Sequence, residues 1–310
     1  MIPRGVRLAT MSSIAARLPD GWQSMIPSAW LDGWAPQTSP LSGGTTEIVI
    51  MGAGPTLVLL PPLPGYKEAF VGVASKLARR FRVVTFDLRI RFPNRPSWTV
   101  LLDDLDQIAD SLGDEPLILA GHSLGGALAQ QWALRNPSRV SALVLSSSFA
   151  HVGSVPGHGW KRYVEQPIVL AGQRWLPTSM ARSQARNLAR RGAWVYDPFC
   201  DEHILDFIRF AIRNVPVSLA GQSVRLALAH DTRATLGQLE HPTLSLVGER
   251  ETRWARKAEE ELAQLIDQAE RRVAPGVGHL HPLSSPEWFS NTVTSYWNSV
   301  RSRTGTAAKP

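Results

Sequence analysis

Apolar and polar positions along the chain form short strand-like runs separated by longer stretches with helical spacing. Residues 46–51 and 56–60 predict two strands around a turn at 52–55, the second apolar enough to be buried on both faces. Helical spacing over 67–80 leads into a short strand at 82–86, and a helix over 99–112 leads into the apolar run Leu117-Ile-Leu-Ala120. In that helix Asp103, Asp104 and Asp106 are expected on the solvated face. A further helix pattern at 126–134 stops near Asn136-Pro137, and residues 140–146 predict the next strand.

The alternation then lapses. From about 151 to 235 only helical patterns occur, at 160–175, 179–191, 202–214 and 218–229. A strand at 242–247, a helix at 253–266, a strand at 269–274 and a helix at 286–301 resume it. Alternating strands and helices predict an α/β fold, a mostly parallel sheet with helices on both faces. The core is expected at 46–150 and 236–301, with 151–235 inserted as a helical cap. Residues 1–45, rich in Pro, Gly, Ser and Trp, read as an N-terminal extension packed on that core, and 302–310 as a flexible tail.

Composition narrows the function class. With 44% hydrophobic and 19% charged residues in 310, the chain reads as soluble and globular. No segment approaches the roughly 20 apolar residues of a membrane span. The opening residues carry arginines but no uninterrupted apolar stretch, so no secretory signal is expected, and Met11 is a second candidate start. Cys200 is the single cysteine, which excludes an internal disulfide and fits a cytoplasmic protein. Of the net charge of +7, a good part lies between His151 and His241, where 11 Lys/Arg face 7 Asp/Glu. Without a nucleic-acid motif, this reads as solvated helix faces rather than an anion funnel, and no particular oligomeric state is implied.

The chemistry concentrates in Gly121-His122-Ser123-Leu124-Gly125. An apolar strand runs into this segment and a helix leaves it, with a glycine two residues to either side of the serine where a tight strand-to-helix turn leaves no room for side chains. Such a turn presents a nucleophilic hydroxyl, whereas the plainer alternative is a helix N-cap serine. Leu124 N–H, at the helix start, points to where an oxyanion would form. A serine needs a base oriented by an acid. His279 follows Pro275-Gly-Val-Gly278 on a glycine-rich loop after the last strand, and ranks far above its neighbour His281. No Asp or Glu occurs from Asn136 to Val164, so the loop after the 140–146 strand offers no acid. The loop after the 242–247 strand offers Glu249 and Glu251; Glu251 is preferred and Glu249 is its competitor.

In this order of nucleophile, acid and histidine, the chain resembles the α/β-hydrolase superfamily over about 46–150 and 236–300. The resemblance implies the α/β-hydrolase sheet with a helical cap between the sixth and seventh strands. Gly248-Glu249-Arg250-Glu251 matches the family's Gly-Glu-x-Asp turn with Glu in place of Asp. Where members often carry His-Gly-x, this chain has Pro61-Pro62-Leu63-Pro64-Gly65-Tyr66; the prolines lack an N–H, and the donating position matches Leu63. The implied oxyanion hole is therefore Leu63 with Leu124. Asp87 resembles the family's structural aspartate, and His122 is expected to pack. The resemblance implies a serine hydrolase acting on a small, hydrophobic, ester-like substrate through an acyl-enzyme, with neither metal nor organic cofactor. Lactonase, thioesterase, amidase, carbon–carbon bond hydrolase and perhydrolase chemistry use the same triad, and a non-catalytic ligand-binding member is the alternative from another class.

Overall fold

The computed structural model describes residues 13–15, 17–89, 91–92, 95–152, 171–172, 174–190, 201–215 and 217–303. Eight strands form one sheet: β1 Gln37–Leu41, β2 Gly44–Met51, β3 Thr56–Leu60, β4 Arg82–Phe86, β5 Leu117–His122, β6 Val140–Ser146, β7 Thr243–Gly248 and β8 Ala269–Ala274. Their order is β1-β2-β4-β3-β5-β6-β7-β8. β1 and β2 are antiparallel, β2 meets β4 antiparallel, and all later pairs are parallel. All six residues of β5 are buried, as a strand covered on both faces requires.

Helices α1 Val71–Leu77, α2 Trp98–Leu112, α3 Leu124–Arg135, α4 Thr178–Arg190, α5 Glu202–Asn214, α6 Val217–Ala229, α7 Arg253–Gln264, α8 His281–Ser284 and α9 Pro286–Arg303 complete the described elements. One apolar cluster joins α2, α3 and α7 to one face of the sheet, and a second joins α1 and α9 to the other. Chain order reverses at β3, which has β4 on one side and β5 on the other. In open parallel sheets that reversal opens a crevice at the strand carboxyl ends, where ligands bind.

Several expectations are revised. β1 lies inside the expected N-terminal extension, yet it is an edge strand of the sheet, registered Gln37↔Ile48 through Leu41↔Gly44. Its sequence, Gln-Thr-Ser-Pro-Leu, carries no apolar alternation; the tight reversal into β2 makes it a strand, and Pro40 is tolerated because the edge leaves its missing N–H without consequence. The helical stretch expected at 67–80 is a 3-10 turn, Lys67–Phe70, followed by the short α1. Asp104 is buried rather than solvated: Arg89 Nε and Nη2 donate to its carboxylate at 2.7 and 2.8 Å. Asp106 accepts from Trp132 Nε1 at 2.8 Å, and only Asp103 stands exposed, paired with Arg135.

Between β6 and β7 the expected helices at 179–191, 202–214 and 218–229 are α4, α5 and α6, whereas most of the one expected at 160–175 lies outside the described residues. A third apolar cluster holds Ile204, Leu205, Phe207 and Ile208 of α5 against Leu18, Trp22 and Ile26 of the N-terminal segment. The Trp22 and Phe207 rings are 6.0 Å apart. The chain entering and leaving this helical segment is pinned where His151 bridges Asp231 and Thr232 N–H donates to Ala150 O at 3.0 Å. Among the described residues no helix is long and apolar enough to cross a membrane.

Candidate active site

Ser123 sits where β5 turns into α3, with φ 53° and ψ −114°. A serine holds this sparsely populated conformation at a cost of about 1–3 kcal/mol, which the surrounding packing offsets. The glycines explain how. A β-carbon on Gly121 would lie 2.2 Å from Gly125 O, and one on Gly125 would lie 1.9 Å from Leu60 O. Gly125 therefore lets the end of β3, which leads into the loop that carries Leu63, press against the start of α3. Among the described residues neither the Leu63 nor the Leu124 N–H is donated to another group.

The loop that carries His279 is built by equally close backbone contact. A β-carbon on Gly248 would lie 2.3 Å from Gly278 O, so β7 ends in glycine where the loop after β8 crosses it. Arg250 N–H donates to Val277 O at 2.8 Å, which locks the two loops together. On that frame His279 Nδ1 lies 2.8 Å from Glu251 Oε2. The other carboxylate oxygen, Oε1, accepts from Thr252 N–H at 3.0 Å. Burial alone would raise the Glu251 carboxyl, but the facing imidazole and the Thr252 N–H overcome it and hold the group below the usual glutamate range. Glu249 is exposed and goes elsewhere: its Oε2 accepts from Gly276 N–H, steadying the turn that precedes His279. Of the two glutamates, the fold brings Glu251 to the histidine.

His279 also lies beside the turn that carries Ser123. Its ring centroid is 5.0 Å from that of His122, the residue before Ser123. No hydrogen bond joins Ser123 Oγ to His279 in this conformation; in unliganded sites such contacts are often long and tighten only when substrate binds. His281 is fully buried, and burial pushes it down to about 4, unsuited to act as a base at neutral pH. His122 does more than pack: with Ser146 and His281 it forms a buried polar chain beside His279.

Beneath the Leu63 loop lies a buried charge cluster that periodicity alone did not reveal. Lys67 Nζ reaches Glu47 at 2.9 Å, Glu68 at 2.7 Å and Asp87 at 2.9 Å, while Lys67 N–H donates to Asp87 Oδ1 at 2.9 Å. Burial and the neighbouring Glu68 carboxylate push Asp87 up, to about 7, against the pull of Lys67. This ties Asp87 to the segment directly after the Leu63 loop, a structural task. Among the described residues no group of histidine, cysteine or acidic side chains is arranged to hold a metal.

The family profile described as alpha/beta hydrolase fold matches residues 55–286. The chain belongs to the alpha/beta hydrolase fold family. It is a hydrolase. It is similar to the sn-1-specific diacylglycerol lipase of Mus musculus, 29% identical over 266 residues covering 78% of this chain and 80% of that protein. It is also similar to the pimeloyl-(acyl-carrier protein) methyl ester esterase of Nitrosomonas europaea, 28% identical over 249 residues covering 78% of this chain and 96% of that protein. Among solved structures, a thermophilic esterase from Thermogutta terrifontis superposes with a TM-score of 0.65 at 23% identity, covering 86% of this chain and 98% of the other, a likeness of fold.

Proposed function

We propose that this hydrolase cleaves esters of small, uncharged, hydrophobic substrates through an acyl-enzyme on Ser123. His279 takes the Ser123 proton as the hydroxyl attacks the carbonyl carbon, and the oxyanion that forms accepts from the N–H groups of Leu63 and Leu124. The protonated imidazole then gives its proton to the departing alcohol. Glu251 keeps Nδ1 protonated and stabilises the imidazolium. Water attacks the acyl-enzyme with His279 again as base, releasing the acid and restoring Ser123. The observation that carries this reading is the 2.8 Å contact between the buried Glu251 carboxylate and His279, on loops that meet beside the strained Ser123. No cofactor or metal is required, and a cytoplasmic setting fits the single cysteine.

The helices between β6 and β7 are read as the cap over this site. Three arginines there have protein partners: Arg182 pairs with Asp206 and Glu202, Arg186 with Glu202, and Arg209 donates to Thr178 Oγ1 at 2.7 Å. Such commitment disfavours an anion funnel and supports neutral esters, in line with the ester-cleaving names of the lipase and esterase relatives. The apolar face of α5 packs on the N-terminal segment, so less of it is left to line a substrate pocket than its composition implies. A fluorophosphonate probe should label the protein stoichiometrically at Ser123, and Ser123→Ala should abolish both labelling and turnover, the latter by about 10⁴-fold or more. Ester hydrolysis surviving in the purified variant, or a preference for anionic esters that weakens with salt, would overturn the corresponding part of this reading.

A further inference from the structure

Ser146, the last residue of β6, is 1% exposed and binds both halves of the site at once. Its carbonyl oxygen accepts from Ser123 N–H at 2.8 Å. Its hydroxyl lies 2.8 Å from His122 Nδ1, on the residue preceding Ser123, and 2.8 Å from His281 Nε2, on the residue two beyond His279. The His122 ring in turn packs between the other two imidazoles, 5.0 Å from His279 and 5.4 Å from His281. Strand register puts Ser146 there: it is paired with His122 of β5 on one side and Leu246 of β7 on the other, between the strand leading to Ser123 and the strand leading to Glu251.

We infer that Ser146 is a positioning residue, which fixes the spacing of Ser123 and His279 by clamping His122 and His281 through one hydroxyl. This rests on the roles proposed for Ser123 and His279. A hydroxyl has one proton, so when it donates to one imidazole and accepts from the other, the accepting ring must be neutral and the other must carry its proton on the nitrogen that faces Ser146. Burial favours that neutral state in both. His281 is further wedged by Trp288 and Phe289, at 6.1 and 5.9 Å, which ties the clamp to α9. Without the hydroxyl, His122 and His281 each lose a buried partner, and the base loop is free to shift relative to the elbow. Displacements near 1 Å in such a site cost about 10²-fold in rate.

The test measures kcat, KM, fluorophosphonate labelling rate and thermal unfolding for Ser146→Ala, His281→Leu, His281→Gln and the Ser146→Ala/His281→Leu double variant, on a short neutral ester. Ser146→Ala and His281→Leu should each lower kcat by about 10- to 100-fold with KM within about twofold, and labelling should slow in parallel. The double variant should be no worse than the poorer single one, since both break the same clamp. His281→Gln, whose terminal amide reaches the place of Nε2, should restore kcat to within about threefold of the parent. If Ser146→Ala does not fold, the Gln and Leu variants at 281 still decide the matter. The inference is overturned if folded Ser146→Ala keeps parental kcat, if the loss lies in KM alone, or if Gln and Leu at 281 are equally impaired. Ser123→Ala and His279→Ala run alongside: turnover surviving in them sinks the triad itself, whereas dead triad variants beside a fully active Ser146→Ala sink only the clamp.

Discussion

Replacing Glu251 with glutamine isolates the charge that faces His279. The side chain keeps its size, and its Oε1 position is already committed, because it accepts from Thr252 N–H at 3.0 Å. A glutamine holding that bond must turn its NH2 toward His279 Nδ1, which sits 2.8 Å from the present Oε2. The imidazole then has to accept at Nδ1 and carry its proton on Nε2, the tautomer that cannot take a proton from Ser123. The lost charge adds to this. With about 4 Å between charge centres and an effective dielectric of about 20, carboxylate and imidazolium attract by about 4 kcal/mol, which corresponds to about 10³ in rate. Glu251→Gln should therefore keep its fold and lower kcat by about 10³- to 10⁴-fold on a neutral ester. Glu249→Gln should lose only a few-fold, through a looser Gly276 turn. The assay is steady-state hydrolysis with active-site titration of the same preparations. Glu251→Gln turning over within about tenfold of the parent would refute the assignment, and a reversed ranking would pass the role to Glu249.

Two further outcomes follow from buried groups away from the reacting atoms. Asp104→Asn should leave Arg89 charged and partly unpaired in the core, costing about 3–5 kcal/mol and lowering Tm by roughly 5 °C; an unchanged Tm would mean that the Arg89 pair contributes nothing net. His281 is held neutral by burial down to about 4, while in the unfolded chain it takes up a proton near 6.5, so its contribution to stability is present above about pH 6.5 and is lost as pH falls toward 4. Denaturant unfolding between pH 7 and 4 should show the parent losing about 3 kcal/mol relative to His281→Gln, and parallel curves would contradict the buried neutral state.

Much of the fold was legible because its signals are local. The limits of β3, β4 and β6 coincide with runs visible in the sequence, since an inner strand covered on both faces is largely apolar, whereas β8, a polar edge strand, was marked by its place between two helical stretches. The tight turn at Ser123 was legible for a related reason: a strand, two flanking glycines and a helix make a turn whose sterics are set within a few residues. The contact between Glu251 and His279 was foreshadowed only as a choice between two acids on a loop. The choice rests on where the loop after β8 crosses Gly248, which places His279 over one carboxylate and Gly276 N–H over the other.

What lay beyond the sequence depends on partners far along the chain. Asp104 looked like part of a polar helix face, and Arg89, 15 residues away, turns it into a buried ion pair. The polar segment of β1 becomes a strand by pairing with β2. His281 looked like a spare neighbour of His279, yet the hydroxyl of Ser146, 135 residues earlier, lies against its Nε2. The sequence by itself determined most of the elements and the tight strand-to-helix turn at Ser123, because backbone sterics and periodicity act over a few residues. The tertiary structure decided which polar groups are paired, buried and neutral, because desolvation and hydrogen bonding depend on what the completed sheet brings alongside them.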